Sequence, residues 1–147
     1  MMRRFPRFSI RLYCALILAG LAATAQAEVY VIVHRDNPVH ALGIDKVASL
    51  YLGRSRSFGS GHFAVLVDQP GHAPVRERFF LKLAGMTLPQ VNAYWARLSF
   101  TGRVTPPEVR VSDAEVIEAV ASEPLAIGYV STPPSDARVR VVLHFGD

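Results

Sequence analysis

A stretch rich in turn-forming residues, 68–74, lies between a predicted strand and a predicted helix and could bind a small anion. Backbone N–H groups at the start of a helix and the positive end of the helix dipole attract anions. Gly71, His72 and Ala73 lie where these groups would meet the anion, and the imidazole of His72 could donate a hydrogen bond. Arg76, in the first turn of the helix, would add positive charge. The pattern predicts a weak site for a small anion at these four residues.

The same turn also holds residues that oppose anion binding. The carboxylate of Asp68 would repel an anion, and Pro74 has no N–H to donate. Protonation of the His72 imidazole would add positive charge in mildly acidic solution. We therefore expect binding that is weak and that improves on acidification.

Two other pairs of side chains could bind a ligand, and each has a simpler interpretation. Arg54 and Arg56 lie in a polar, glycine-containing segment and could attract an anion, but a solvated loop is the more common setting for such a pair. Tyr94 and Trp95 could stack on a ligand, whereas their helical spacing favours packing in the core.

The sequence lacks the motifs of metal sites and of common enzyme classes. Glu115 and Glu118 lie three residues apart on a predicted helix and fit a solvated face better than an acid–base pair. Neither a G-x-S-x-G nucleophile elbow nor a glycine pattern for nucleotide phosphates is present. The five histidines have neither H-x-H nor H-E-x-x-H spacing: His34, His40, His62, His72 and His144. We predict no metal, no cofactor and no catalytic residue, and therefore a protein that is not an enzyme.

The positive charge of the chain is concentrated at its amino end. The 147 residues are 50% hydrophobic, which is enough for the core of one domain. The first 27 residues contain no acidic residue and four arginines: Arg3, Arg4, Arg7 and Arg11. The chain has 16 Lys and Arg against 12 Asp and Glu, so without these four arginines 12 of each remain. This neutral balance gives no support to nucleic-acid binding.

The first 27 residues have the layout of a secretory signal peptide. A basic stretch, 1–11, precedes an almost wholly apolar run, 12–23, and an Ala-x-Ala motif ends at Ala27. The apolar run is shorter than the ~20 residues that span a bilayer comfortably, and a retained membrane anchor is the alternative. We predict cleavage after Ala27 and a mature domain, 28–147, that is periplasmic or secreted and not embedded in a membrane. Cleavage would remove Cys14, the only cysteine, and any disulfide with it.

Hydrophobic periodicity predicts the elements that position these residues. Alternating and β-branched residues predict strands at 29–34, 63–67, 126–130 and 139–145. Helical spacing and cap residues predict four helices: one from Ile44 to a stop at Gly53, one opened by Pro74 and ended by Gly85, one begun at Thr87 and Pro89, and one with a capping box from Ser112 to Glu115. This order predicts one α/β domain with a mostly buried, mixed sheet flanked by about four helices.

Several segments occur together and in order along the chain. They are Val31 to Val39, Lys46 to Arg54, Val67 to Gln69, Arg76 to Phe79, Val91 to Trp95, Phe100 to Arg103, and Ala126 to Val130. In this combination the sequence resembles short exported proteins related to the phosphate-binding protein of ABC transporters, in the periplasmic binding protein type II superfamily. The resemblance covers nearly all of residues 28–147.

The resemblance implies a fold, a role and partners. The fold would be a single lobe of the type II periplasmic binding protein architecture. The role would be that of a substrate-binding protein-like module, with weak binding of a phosphate-like anion or an accessory function, and with a membrane transporter or an envelope protein as partner. The alternative is a ligand-free structural or regulatory interaction module that keeps the fold.

The turn at 68–74 departs from the pattern of the full-length phosphate receptors. The resemblance implies a comparison with their shared turn, which is similar to Arg-Ser-Asp-Gly-Ser-Gly-Thr and lies where a helix begins. Here Asp68 stands in place of the arginine, His72 in place of a serine and Pro74 in place of the threonine, while Gly71 matches. Two hydroxyl donors and one cation are thus absent from the turn, which implies weaker capture of phosphate.

Overall fold

A mixed five-stranded sheet forms the centre of the computed structural model, which describes residues 28–59 and 61–146. The elements, in chain order, are β1 (Val29–His34), α1 (Ile44–Tyr51), β2 (Val65–Asp68), α2 (Pro74–Ala84), α3 (Leu88–Phe100), β3 (Glu108–Val109), α4 (Asp113–Ser122), β4 (Ala126–Val130) and β5 (Val139–Phe145). The predicted signal peptide, residues 1–27, lies outside the described residues.

The strands are arranged in the order β3-β2-β4-β1-β5. β2 runs parallel to both β3 and β4, whereas β1 runs antiparallel to both β4 and β5. Leu66 lies opposite Ile127, and Val31 lies opposite Tyr129. The predicted mixed α/β domain is confirmed. Because β2, β3 and β4 are parallel, their carboxyl ends meet at one edge of the sheet, which we call the carboxyl edge.

Helices cover both faces of the sheet. Side chains of successive strand residues point to opposite faces, so Val31 packs in the cluster that contains Phe79 and Trp95, and Ile32 packs in the cluster that contains Val116. The first cluster lies beneath α1, α2 and α3, and the second lies beneath α4. This three-layer arrangement buries all five residues of β4.

Local sequence signals set the ends of the helices as predicted. Pro74 occupies the first turn of α2, where a missing N–H is tolerated, and Gly85 ends the helix with a left-handed φ of 64°. Thr87 N–H donates to Gln90 Oε1 at 2.9 Å, which caps α3. At the start of α4 the Ser112 hydroxyl accepts from the N–H of Glu115 at 3.2 Å. The Glu115 carboxylate accepts from Val111 N–H instead of from the cap residue itself.

Two details of the sheet differ from the sequence prediction. The second strand begins at Val65, and Phe63, which is 68% exposed, forms only an isolated bridge to Ser57. The two-residue strand Glu108–Val109 was predicted as part of a connection, because a strand this short shows no periodicity. Within residues 28–59 and 61–146, no helix is long and apolar enough to cross a membrane.

Candidate functional site

The predicted anion-binding turn lies at the carboxyl edge of the sheet, between β2 and α2. Ligands of open α/β folds commonly bind outside the carboxyl ends of parallel strands. Gly71 and His72 are exposed, and Ala73 is half-buried. The N–H of Ala73 donates to the carbonyl of Pro70 at 2.9 Å, which closes the turn. The exposed part of the site is therefore the turn at Gly71 and His72, because Pro74 has no N–H and the next two residues, Val75 and Arg76, are buried.

Arg76 differs from the other three predicted residues because it is buried. It is 5% exposed, and its Nε lies 3.2 Å and 3.1 Å from the two carboxylate oxygens of Asp68. Its Nη1 donates to Asn92 Oδ1 at 2.8 Å, and its guanidinium carbon lies 5.1 Å from the centre of the Phe80 ring. Most of the positive charge of Arg76 thus acts inside the domain and neutralises Asp68.

One nitrogen of the Arg76 guanidinium is left for other contacts. Within residues 28–59 and 61–146, Nη2 makes no hydrogen bond. It is not among the fully buried unpaired side-chain atoms, so it keeps contact with solvent. Arg76 therefore keeps Nη2 in contact with solvent while its Nε stays on Asp68.

Asn92, on α3, completes the surroundings of the turn. It is an exposed residue whose Oδ1 is held by Arg76, and its Nδ2 lies 3.8 Å from the position that a Cβ on Gly71 would occupy. An amide N–H₂ is a donor suited to an oxyanion. Asn92 could not be predicted as part of the site, because its approach to Gly71 arises from the packing of α3 against α2 and leaves no local signal in the sequence.

Asp68 and its neighbours form a buried polar cluster behind the turn. The carboxylate accepts hydrogen bonds from the N–H of Gln69 at 2.8 Å and from the hydroxyl of Tyr129. Burial raises the pKa of Tyr129 well above its usual value, and the charge of Asp68 raises it further. Tyr51 is also fully buried, and its hydroxyl lies 2.8 Å and 3.0 Å from the carbonyls of Val67 and Ile127. These contacts tie β2 to β4 at the carboxyl edge.

The start of α4 also lies at the carboxyl edge, but a carboxylate of the chain occupies it. Asp113 Oδ2 accepts from the N–H and the hydroxyl of Ser131 at 2.9 Å and 2.6 Å. Asp113 Oδ1 accepts from Gln69 Nε2 at 2.8 Å. An anion would be repelled here, so the start of α2 is the better candidate of these two helix ends.

Trp95 packs in the core, as predicted. It is 7% exposed, and its Nε1 donates to the carbonyl of Tyr51 at 3.2 Å. Tyr94 is half-buried, and its hydroxyl donates to the carbonyl of Leu52 at 2.6 Å. One edge of Trp95 also lines an apolar groove of about 410 Å³ together with Phe63 and other side chains. The two aromatic rings therefore support α1 and α3 rather than forming an open stacking platform.

The other candidate groups lie apart from the turn. Arg54 and Arg56 are exposed, and Arg56 donates to the carbonyl of Arg103. Glu118 forms a surface ion pair with Arg138 at 2.8 Å, and this hydrogen bond lowers the pKa of the Glu118 carboxyl. Among the described residues, no three metal-ligating side chains lie together.

Three solved structures share this fold. One, with bound phosphate, comes from Clostridium perfringens and is assigned as a phosphate ABC transporter substrate-binding protein (TM-score 0.63, 20% identity). The second is an ABC-type phosphate transport receptor from Vibrio cholerae (TM-score 0.60, 19% identity). The third is assigned as a phosphate-binding protein from Planctomyces limnophilus (TM-score 0.59, 12% identity).

The likeness extends over most of this chain but not over most of theirs. Each match covers 79% of this chain and, respectively, 45%, 46% and 41% of the three structures, so the chain spans less than half of their length. Neither a protein-family model nor a curated protein matches the sequence. The similarity shows a fold of the phosphate-receptor type.

Proposed function

We propose that this chain is an exported, non-enzymatic substrate-binding protein-like module that binds a small, phosphate-like oxyanion weakly at the start of α2. The observation that carries the proposal is the grouping of exposed donors around one turn. Gly71, His72 and Ala73 form the turn, Asn92 Nδ2 lies beside Gly71, and Arg76 keeps one nitrogen in contact with solvent. The three structures of similar fold are described as phosphate-binding or phosphate-transport proteins, which supports this class of ligand.

Weak binding is expected because the local charges nearly cancel. Strong anion sites use charge-assisted hydrogen bonds in a site that excludes water. Here the buried side of Arg76 is paired with Asp68, Pro74 has no N–H, and the turn is open to solvent. The donors that remain are backbone N–H groups, the Asn92 amide and the His72 imidazole. Such a set favours a site that exchanges its anion readily.

Titration calorimetry of the secreted protein with phosphate and with sulfate tests this function. We expect saturable heat with phosphate, and a clear loss of affinity in Asn92→Ala. Arg54→Ala is the matched control, because it removes an exposed arginine from a different loop. Absence of heat with both anions would contradict binding and would favour an interaction module without a ligand. If Arg54→Ala lost as much phosphate affinity as Asn92→Ala, the anion site would lie at the loop that holds Arg54 and Arg56.

The proposed role also includes export and a partner in the envelope. Cleavage after Ala27 would release residues 28–147 into the periplasm or the medium, where a membrane transporter or an envelope protein could contact the domain. The intact mass of the secreted protein tests the cleavage, and we expect Glu28 as its first residue. A secreted or membrane-bound chain that still begins at Met1 would contradict it.

A further inference from the structure

The carboxylate of Asp68 is enclosed by donors that are themselves buried. Asp68 is 4% exposed, Gln69 4%, Arg76 5% and Tyr129 0%. Oδ1 accepts from the Gln69 N–H at 2.8 Å, from Arg76 Nε at 3.2 Å and from the Tyr129 hydroxyl. Oδ2 accepts from Arg76 Nε at 3.1 Å. A backbone N–H, a phenol and a guanidinium thus converge on two oxygens.

These donors depend on the carboxylate that they surround. A buried donor without a partner costs free energy, and a buried guanidinium without a counter-charge costs more. The positions of the donors are fixed by different elements: Gln69 follows β2, Arg76 lies on α2 and Tyr129 lies on β4. Their convergence is therefore set by the fold, and we expect it to persist when the side chain at position 68 is shortened.

We propose that this pocket is a preformed carboxylate-binding site, that the chain fills it with its own Asp68, and that it accepts a free small carboxylate when Asp68 is shortened. Formate is the ligand that matches it, because Asp68→Ala removes one carbon and two oxygens, which are the heavy atoms of formate, from among residues that are at most 5% exposed. A tetrahedral oxyanion would bring further oxygens into this buried space, whereas the donors that hold Asp68 address only two. The pocket shares Arg76 with the anion site proposed at Gly71, but its other donors are buried behind the turn, and it does not depend on anion binding there.

Chemical rescue of Asp68→Ala tests this proposal. The substitution removes the carboxylate and leaves the donors, so we expect a lower melting temperature in chloride. Formate at the same ionic strength should raise it again in a saturable manner. A ligand that binds only the folded state multiplies the ratio of folded to unfolded protein by about tenfold at ten times its Kd. Phosphate should stabilise Asp68→Ala no more than it stabilises the parent, in which Asp68 fills the pocket.

Two further variants separate a specific site from a general salt effect. In Asp68→Ala combined with Arg76→Met, the formate effect should disappear because the guanidinium is gone. Asp36→Ala is the matched control, since it removes a carboxylate that is 75% exposed and beside another arginine, Arg35. Formate should stabilise this control no more than chloride does.

Refolding yield replaces the melting temperature if Asp68→Ala does not fold in chloride. The proposal then requires that formate, and not chloride, recovers folded protein. It is overturned if formate is no better than chloride in either measurement. It is also overturned if the formate effect survives the removal of Arg76, or if phosphate, beyond its effect on the parent, rescues Asp68→Ala as well as formate does.

Discussion

Arg76 and Asp68 form an ion pair inside the domain, with Nε 3.1 Å from Oδ2 and side chains that are only 6% and 5% exposed. The pair joins the first turn of α2 to the end of β2 at the carboxyl edge. Breaking a buried pair from one side leaves an uncompensated charge. Arg76 therefore has a structural role at the carboxyl edge. This role does not depend on what its Nη2 contacts.

Substitution of Arg76 by Met should destabilise the domain strongly. We expect a loss of about 3–5 kcal/mol in the free energy of unfolding, because Asp68 would remain buried without its partner. Urea denaturation measures this loss. Arg138→Met is the control, since Arg138 bridges Glu118 and Asp136 at the exposed surface, where ion pairs contribute little. Equal losses in the two variants would contradict the special role of the buried pair.

The two buried tyrosines predict a loss of stability in alkali. Burial raises the pKa of Tyr51 and of Tyr129 well above their usual value, and the charge of Asp68 raises both further. Both phenols stay neutral in the folded state, whereas unfolded phenols ionise near pH 10. The stabilisation is thus complete below about pH 10 and is lost as the pH rises towards the raised pKa values.

Tyrosinate absorbance and unfolding, followed together against pH, check this prediction. Two tyrosines should ionise only when the domain unfolds. Tyr129→Phe removes one of these groups, so its stability should fall less steeply in alkali than that of the parent. The same variant should be less stable at neutral pH, because Asp68 loses a donor. If the stability of the parent and of Tyr129→Phe fell equally steeply with rising pH, Tyr129 would not be one of the phenols that stay neutral in the folded state.

Much of the fold could be predicted from the sequence because the controlling signals are local. The alternation of Val31 and Ile32 between two apolar clusters follows from strand geometry, and Pro74 and Gly85 bound α2 through their own backbone preferences. β3 could not be predicted, because only its pairing with β2 makes residues 108–109 a strand.

The site was harder to predict than the fold. The sequence places Gly71, His72 and Ala73 in a turn before a helix, and the structure has them there. The sequence does not indicate that Arg76 turns inward to Asp68, or that Asn92 approaches from another helix. Such contacts depend on how α2 and α3 pack, and side chains that are distant in sequence carry no periodic signal.

Trp95 should contribute to stability and not to anion binding. Its ring is 7% exposed and fills the core between α1 and α3. We expect Trp95→Ala to reduce the free energy of unfolding by roughly 3–5 kcal/mol, while Trp95→Phe should lose much less. Urea denaturation and phosphate titration of the same samples check both parts. A Trp95→Ala protein of parental stability that loses its ligand would instead support a stacking role.

Gly128 lets α4 pack closely on β4. A Cβ added there would lie 2.7 Å from Val116 Cγ1 and 3.2 Å from Val120 Cγ2, both of which are in the buried cluster. Gly128→Ala should therefore lower the free energy of unfolding by about 1–3 kcal/mol through overpacking. Gly43→Ala is the matched control, because a Cβ there meets nothing within 4 Å. A melting temperature that is lower for Gly43→Ala than for Gly128→Ala would contradict this packing.

His72 should donate a hydrogen bond to the bound anion. It is exposed on the turn that precedes α2, beside Gly71, and an imidazole can donate an N–H to an oxyanion oxygen. His72→Ala should therefore lower the phosphate affinity measured by calorimetry, whereas His62→Ala, at an exposed loop position away from the turn, should keep it. Because Asp68 is neutralised by Arg76 inside the domain, its carboxylate should oppose anion binding less strongly than the sequence alone suggests. An affinity that is unchanged by His72→Ala would place the anion away from this turn.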